Sequence, residues 1–312
     1  MKKYRFLMII GLVLTLFLAA CGSDDSEEGS QASGEGITIK HELGTTTVEK
    51  NPETVVVFDY GALDTLDKLG VEVAGVSKDS LPAYLSKYDS EDYVNIGSLK
   101  EPDFETIHGM DPDVILISGR QSELYEDLSD IAPTVYVGLD TTRYMESFEE
   151  NLTILGELFD KEAEVKEEFK AIQDNIAALN EKATNMEEKA LIVLTTGGKI
   201  SAYGSNSRFG IVHDVFGVKT ADENIEASTH GMKVSYEYIL ETNPDYLFVI
   251  DRDAVVGDGA AAEEVMETEL VKQTNAYKSD KIVYLDPDTW YLSGGGLVSV
   301  QQMIDDISAV IE

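Results

Sequence analysis

The sequence contains one stretch twice: FETIHGMDPDVILISGR at residues 104–120 and YEYILETNPDYLFVIDR at residues 236–252. An aromatic-Glu pair, a Pro-Asp pair and a final arginine recur at one offset, 132 residues (236 − 104, 244 − 112 and 252 − 120). Each copy predicts a short helix that ends before proline and an apolar run typical of a buried parallel strand. The duplication therefore predicts a protein with two related lobes.

Each copy ends on an arginine, Arg120 in the first and Arg252 in the second. Open α/β sheets bind their ligands beyond the carboxyl ends of parallel strands, where both arginines are expected to lie. Each lobe would then contribute one guanidinium to a shared site. The alternative is that helix, Pro-Asp and strand form a common α/β pattern, whose arginines are surface ion-pair partners.

The N-terminus predicts export. Residues 1–20 combine a basic start with an uncharged apolar run, which is typical of a secretory signal peptide. The run ends in LAACG at residues 18–22, which resembles the lipobox of bacterial lipoproteins and predicts lipidation of Cys21. Residues 21–36 are acidic and glycine-rich, as in a flexible tether. A diacylglyceryl group on Cys21 would anchor the protein to the outer face of the cell membrane.

The composition narrows the functional classes. The chain has 24 basic and 59 acidic side chains, a formal net charge of −35, which excludes nucleic acid as a partner on electrostatic grounds. Cys21 is the only cysteine, so no intrachain disulfide is possible and the fold must depend on its apolar core. A hydrophobic content of 43% is sufficient for two lobes of ordinary size.

The remaining pattern alternates strands and helices. We expect an α/β fold of two pseudo-symmetric lobes with mainly parallel sheets, residues 37–158 and 189–312, joined by one long α-helix within residues 159–188. In the first lobe, strands are predicted at 36–49, 54–60, 71–76, 114–118 and 134–139. In the second, strands are predicted at 189–195, 200–203, 247–251 and 281–285, with a final helix reaching residue 312.

Several loop residues are candidates for a binding site. Lys100 lies in a loop that leads to the ligand edge, and Arg208 precedes a predicted helix, whose N-terminus favours anions. His230 lies in a loop before the second repeat. Trp290 and Tyr291 form an aromatic pair that is either a core plug or a wall of a pocket. Each of these residues could equally be an ordinary surface or core residue.

The two repeats, together with GSLKEP (97–102), SRFGIVHDVFGV (207–218) and TWYLSGGG (289–296), resemble the substrate-binding lipoproteins of ferric-siderophore ABC importers. Within that family the motifs are most similar to the petrobactin and catecholate receptors of Bacillus-type bacteria. The resemblance implies the class III periplasmic-binding-protein architecture, with an anionic ferric siderophore held between two lobes and little domain movement. It also implies a monomer with no cofactor and no catalytic activity.

The resemblance assigns roles to individual residues. The basic pocket of the family falls on Arg120, Arg208 and Arg252, with Lys100 as a further basic group. Iron coordination by the protein, where the siderophore offers only four donors, falls on His230 and Tyr291. The remaining assignments are ligand contacts at Tyr60 and Trp290, and docking of an ABC permease dimer with its ATPase at Glu105 and Glu237.

Alternatives from other classes remain open. A zinc or manganese receptor would need clustered imidazole and carboxylate ligands, whereas the four histidines are scattered at His41, His108, His213 and His230. A haem or cobalamin receptor would share the fold, although three arginines favour a more anionic ligand. A secreted hydrolase is a further alternative, for which the chain offers no G-x-S-x-G motif.

Overall fold

The computed structural model describes residues 36–257 and 259–311. The predicted signal peptide and the lipidation site at Cys21 lie outside these residues. The predicted tether lies outside them too, apart from Gly36, which begins the first strand. In the part of the chain that is described, no helix is both long enough and apolar enough to cross a membrane.

Thirteen strands lie within the described ranges: β1 Gly36–His41, β2 Gly44–Glu49, β3 Val55–Val57, β4 Gly75–Val76, β5 Val94–Asn95, β6 Val114–Ile117, β7 Thr134–Tyr136, β8 Lys189–Thr196, β9 Lys199–Tyr203, β10 Lys219–Thr220, β11 Met232–Val234, β12 Tyr246–Asp251 and β13 Ile282–Leu285. The α-helices described there are α1 Tyr60–Lys68, α2 Phe104–Met110, α3 Tyr125–Ser129, α4 Tyr144–Leu158, α5 Glu162–Asn185, α6 Ile211–Asp214, α7 Tyr236–Thr242, α8 Asp253–Val256, α9 Ala262–Met266, α10 Asn275–Lys278 and α11 Leu297–Val310. Shorter 3₁₀ segments and one π-helical turn, Asp288–Ser293, complete the regular structure.

The first lobe is built on a five-stranded sheet of order β5-β4-β3-β6-β7, in which every pairing is parallel. The chain runs outward from β3 to β5 and then returns to place β6 on the other side of β3. The strand order therefore reverses between β3 and β6, and the carboxyl ends of these two strands form the crevice where doubly wound sheets bind ligands. Strands β1 and β2, which fall in the predicted strand region 36–49, form a separate antiparallel hairpin.

The second lobe is built on a mixed sheet of order β11-β9-β8-β12-β13, with β10 paired to β8. Strands β8, β12 and β13 are parallel, as predicted, and so is β10, which was not predicted, whereas β9 and β11 run antiparallel to their neighbours. The reversal between β8 and β9 occurs at Gly197 and Gly198, with φ of 54° and 71°. Positive φ at both central residues is what a tight two-residue hairpin needs, and glycine adopts it without strain.

The two copies of the repeat fold alike. Helix α2 has Asp103 as its N-cap and ends at Asp111 in the left-handed conformation, with φ of 50°. Helix α7 has Ser235 as its N-cap and ends at Asn243, also left-handed, with φ of 44°. Short polar side chains suit both cap positions, since they accept a hydrogen bond at the N-terminus and tolerate positive φ at the C-terminus. The sequence duplication is thus a structural duplication.

The Pro-Asp pair anchors each repeat to its sheet. Asp113 Oδ2 accepts hydrogen bonds from the backbone N–H groups of Glu53 and Thr54, at 2.9 and 2.8 Å. Asp245 Oδ2 accepts one from the backbone N–H of Lys189 at 3.0 Å. Each aspartate therefore holds the start of its own strand beside the start of a neighbouring strand, which explains why Pro-Asp recurs in the sequence.

A single long helix connects the two sheets, as predicted. Helix α5 buries one face, including Val165, Phe169 and Ile172, and packs against helices α4 and α11. Helix α11 crosses back and packs against both α1 and α5. Since the C-terminal helix contacts the first lobe, it connects the two halves a second time.

The predicted strand at residues 54–60 is wrong at its C-terminal end. Strand β3 stops at Val57, and helix α1 begins at Tyr60 with Asp59 as its N-cap. Asp59 Oδ1 accepts a hydrogen bond of 2.8 Å from the backbone N–H of Ala62. The apolar run of the sequence continues into the helix because the first turn of α1 is buried too, and periodicity does not separate a buried strand from a buried helical turn.

Candidate functional site

A cavity of about 570 Å³ lies at the carboxyl ends of the first sheet and is closed from the other side by residues of the second lobe. We call it the arginine cavity. The first lobe lines it with residues that follow strands β3, β5, β6 and β7, and the second lobe adds loop residues and the π-helical turn. Its main polar and aromatic lining residues are Asp59, Lys100, Ser118, Arg120, Tyr136, Tyr144, Arg208, His230, Trp290 and Tyr291.

Arg120 reaches the cavity from the switch point of the first sheet. Strand β6 ends at Ile117, and Ser118 caps a 3₁₀ turn in which the side chain of Gln121 accepts a hydrogen bond from the Ser118 backbone N–H. This turn directs Arg120 toward the second lobe. There its Nη2 donates to the backbone oxygen of Tyr291 at 3.0 Å.

Arg208 approaches the same tyrosine from the second lobe. Its Nη2 donates to the Tyr291 backbone oxygen at 2.6 Å, and its Cζ lies 4.2 Å from the centroid of the Tyr291 ring. Burial and then the charge of Arg120 lower the pKa of Arg208. Two guanidiniums from different lobes therefore share one carbonyl acceptor while repelling each other.

Arg120 and Arg208 form no ion pair in the described part of the chain. Among residues 36–257 and 259–311, neither Arg120 nor Arg208 has a carboxylate oxygen within 4.0 Å. Cations that are partly removed from water and left unpaired are costly, and a protein with a net charge of −35 has carboxylates in excess. The arrangement favours an anionic ligand.

Arg252 lies behind Tyr291 and is not part of the cavity lining. Its Nε donates to the Tyr291 hydroxyl at 3.0 Å, and its Nη1 donates to Thr196 Oγ1 at 3.1 Å. A carboxylate oxygen of Asp253 lies 3.5 Å from the same Nη1. Arg252 is therefore placed to orient the Tyr291 side chain and to polarise its hydroxyl. Its influence on the cavity is indirect, through Tyr291.

Tyr291 is the residue on which all three arginines converge. The Cζ atoms of Arg120, Arg208 and Arg252 lie 5.9, 4.2 and 5.7 Å from its ring centroid. Burial by itself raises the pKa of Tyr291, but the charge of Arg208 and the hydrogen bond and charge of Arg252 outweigh it, so the pKa falls below its ordinary value. The hydroxyl is thus a stronger hydrogen-bond donor than that of an ordinary tyrosine, and it loses its proton more readily.

Lys100 and His230 are exposed residues at the rim of the arginine cavity. The backbone N–H of His230 donates to Ser228 Oγ at 3.1 Å, which shapes the loop that carries it. The described residues contain no group of three or more His, Cys, Asp or Glu side chains arranged to hold a metal ion.

Trp290 lines the arginine cavity from within the core, since only 2% of it is exposed and its Nε1 donates to Asp306 Oδ2 at 2.8 Å. Contrary to expectation, Tyr60 is not among the residues that line the cavity. Its side chain is fully buried, and its hydroxyl donates to the backbone oxygen of Ser77 at 3.0 Å. The cause is the early start of helix α1, which turns Tyr60 into the core.

Sequence reasoning missed several lining residues, notably Asp59, Tyr136 and Tyr144. Asp59 and Tyr136 lie at the carboxyl ends of strands β3 and β7, so the rule that located Arg120 would have located them. Tyr144 had no comparable signal. It begins helix α4, and its hydroxyl donates to the backbone oxygen of Gly294 across the cavity.

The two glutamates of the repeat are not among the residues that line the arginine cavity. Glu105 and Glu237 are exposed and lie in the first turns of helices α2 and α7. Their matching positions follow from the duplicated structure. Negative side chains are stabilised in a first helical turn, so their placement alone would also suit a purely local role.

The doubly wound first sheet, the long connecting helix and the cavity between two lobes define a two-lobed substrate-binding protein. Residues 55–289 match the model of the periplasmic binding protein family, and the chain belongs to that family. The chain is 51% identical over 317 residues to the petrobactin-binding protein YclQ of Bacillus subtilis, with 100% of both chains covered. It is 35% identical to the ferric-anguibactin-binding protein FatB of Vibrio anguillarum, covering 87% of this chain and 86% of that protein.

Solved structures agree with these relationships. The crystal structure of YclQ from Bacillus subtilis superposes with a TM-score of 0.88 at 52% identity, covering 89% of this chain and 99% of that one. The periplasmic catecholate-siderophore binding protein VctP of Vibrio cholerae superposes with a TM-score of 0.83 at 40% identity, covering 88% of this chain and 100% of that one. The predicted family and fold class are confirmed.

Proposed function

We propose that this protein is a substrate-binding protein that captures an anionic ferric siderophore of the petrobactin or catecholate type between its lobes and delivers it to an ABC importer for iron uptake. The observation that carries the proposal is the convergence of Arg120, Arg208 and Arg252 on Tyr291, where the first two have no carboxylate oxygen within 4.0 Å among the described residues. The names of the relatives support the ligand class, and they describe binding and not catalysis.

The chemistry of the site suits such a ligand. A ferric tris-catecholate carries roughly three negative charges at neutral pH, so several fixed cations are needed to hold it in a strongly acidic protein. Guanidiniums remain charged, donate to catecholate oxygens and stack against aromatic rings. Arg120 and Arg208 line the arginine cavity from opposite lobes, and Lys100 adds a third cation at its rim.

Tyr291 favours a second binding mode, in which a siderophore with four donor atoms leaves two iron positions to the protein. The lowered pKa of Tyr291 favours a phenolate, which is a good ligand for iron(III), and His230 lines the same cavity. Iron(III) is here part of the bound substrate. A tetradentate ferric bis-catecholate should show a shifted charge-transfer band on binding, and Tyr291→Phe should abolish the shift. An unchanged spectrum in the parent protein would contradict this mode.

Two partners complete the proposal. Glu105 and Glu237, exposed at equivalent positions of the two lobes, would bind arginines of the two permease subunits, which work with an ATPase.

The lipobox-like sequence at 18–22 supports a diacylglyceryl anchor on Cys21, which would hold a monomer at the outer face of the membrane. Release of the protein from membranes by Cys21→Ala would support the anchor, and unchanged membrane attachment would contradict it.

The decisive experiment is a fluorescence titration with ferric petrobactin, ferric enterobactin, a ferric hydroxamate, haem and cobalamin. Trp290, the only tryptophan, is adjacent to Tyr291 and should report occupancy by quenching. We expect saturable quenching by the catecholates, weakened about 10- to 100-fold in Arg120→Ala or Arg208→Ala, as expected for loss of a charge-assisted contact.

Arg143→Ala is the matched control, because Arg143 is exposed and ion-paired to Asp140 and Glu150 outside the arginine cavity. It should change the affinity by less than about twofold. Tight binding of haem or cobalamin, or no response to any catecholate, would overturn the ligand assignment.

A further inference from the structure

A second cavity, of about 870 Å³, adjoins the arginine cavity. It lies between the β1–β2 hairpin and helix α4, and Glu42, Asp140, Arg143 and Glu150 are among its lining residues. Tyr136 and Gly138 line both cavities. These two residues therefore form the boundary between the second cavity and the proposed ligand site.

Tyr136 is the last residue of β7, the edge strand of the first sheet. Its side chain is half-buried, and its hydroxyl has no hydrogen-bond partner among the residues that the structure describes. Burial, followed by the charges of Glu42, Asp59 and Asp140, raises the pKa of Tyr136 to about 12. Asp59 lines the arginine cavity and the other two line the second cavity, so carboxylates act on the ring from both sides.

Gly138 makes this position of the ring possible. A Cβ atom on Gly138 would meet the Tyr136 hydroxyl oxygen and the adjacent ring carbons at less than van der Waals distance. The φ of Gly138 does not lie in the left-handed region, so the requirement for glycine is steric and not conformational. The aromatic ring therefore lies directly against this backbone, at the boundary that the two cavities share.

We infer that Tyr136 is a specificity-determining residue, whose ring is the partition that limits the ligand to the arginine cavity and excludes iron complexes with bulky groups on their chelating rings. The inference rests on the proposed function. A complex that fits within about 570 Å³ leaves the ring in place. A complex with a larger periphery must displace it from its packed position, which costs binding free energy.

The test compares ferric enterobactin with the same complex carrying glucosyl groups on its catechol rings, so that the iron core is shared and only the periphery differs. The parent protein should bind the unmodified complex about tenfold more tightly or better. Tyr136→Ala should reduce that ratio to about threefold or less, because the glucosyl groups enter the second cavity. Tyr136→Phe, which retains the ring, should preserve the ratio.

Gly138→Ala provides an independent variant, since its methyl group should displace the Tyr136 ring while retaining the tyrosine. It should lower the ratio as Tyr136→Ala does, and circular dichroism would show that both variants are folded. An unchanged ratio in folded Tyr136→Ala, with the unmodified complex still bound, would overturn the partition alone. Binding of ferric petrobactin but of neither enterobactin complex would overturn this inference and leave the proposed function standing, whereas failure to bind any of the three would overturn both.

Discussion

Asp64 on helix α1 caps the N-terminus of the C-terminal helix α11, with its Oδ2 accepting a hydrogen bond of 3.0 Å from the backbone N–H of Ser299. Its Oδ1 accepts a second one from the backbone N–H of Val298 at 3.2 Å. Helix α1 belongs to the first lobe, and helix α11 also packs against the connecting helix. This buried contact joins the two halves of the protein at a second point, which opposes large hinge opening.

Asp64 should make stability depend on pH. Burial raises its folded-state pKa to about 7, above the value of about 4 in an unfolded chain. Between about pH 4 and pH 7 the folded state therefore holds a proton that the unfolded chain has released. The contribution of Asp64 to the free energy of unfolding consequently falls as pH rises through this range. We expect Asp64→Asn to remove this loss, which is on the order of 3 kcal/mol between pH 4 and pH 8.

Urea unfolding of the parent and Asp64→Asn proteins at pH 4, 6 and 8 would measure this loss of stability with rising pH. Asp103→Asn is the control: Asp103 caps helix α2 from an exposed position, and its pKa is lowered by hydrogen bonds from Thr106. That variant should not reproduce the effect. If Asp64→Asn loses as much stability between pH 4 and pH 8 as the parent, the role of Asp64 is contradicted.

Tyr291 should ionise at lower pH than an ordinary tyrosine. The charges of Arg208, Arg252 and Arg120, with the hydrogen bond from Arg252, outweigh the effect of burial on its pKa. Absorbance at the phenolate band, taken as the difference between the parent and Tyr291→Phe, should titrate below about pH 10. Arg252→Ala should move that titration upward. A difference spectrum that appears only above pH 10 would contradict the electrostatic account.

Gly61 should be intolerant of alanine. A Cβ there would lie 2.7 Å from the backbone carbon of Gly295 and 3.0 Å from the nitrogen of Gly296. Backbone atoms cannot rotate away as a side chain does, so helix α1 would have to separate from the loop that precedes helix α11. We expect Gly61→Ala to destabilise the fold by about 1–3 kcal/mol, measured by thermal or urea unfolding.

Gly109→Ala is the matched control, because Gly109 is also in a helix and nothing lies within 4 Å of its Cβ position. It should be neutral or stabilising by up to about 1 kcal/mol. Equal losses of stability in the two variants would show that helical context, and not the close approach to Gly295, is responsible.

Glu105→Ala and Glu237→Ala should impair transport without impairing ligand binding, because both residues are exposed on the two repeats and neither lines the arginine cavity. In proteoliposomes that contain the cognate permease and ATPase, either variant should lower stimulated ATP hydrolysis, with the double variant lowest. Glu241→Ala, an exposed glutamate on the same helix as Glu237, is the control. Full stimulation by the double variant would contradict docking at these positions.

Much of the site could be predicted because it follows from local rules. Arg120 lies at the end of a buried strand and Arg208 just before a helix, and both positions are readable from apolar runs and their boundaries. The depth at which a side chain lies is not readable in this way. Tyr60 and Trp290 are both next in sequence to residues that line the cavity. Tyr60 nevertheless lies entirely in the core, and Trp290 lines the cavity from within the core.

The sequence by itself determined the two-lobed architecture, the connecting helix and the acidic character, because an offset of 132 residues, apolar periodicity and charge are properties of the chain alone. Only the tertiary structure decided that three arginines meet at one tyrosine, that Tyr136 lies between two cavities and that Asp64 caps a helix more than 230 residues away. Such contacts join residues distant in sequence, and their geometry depends on how whole sheets and helices pack. No local pattern in the chain encodes them.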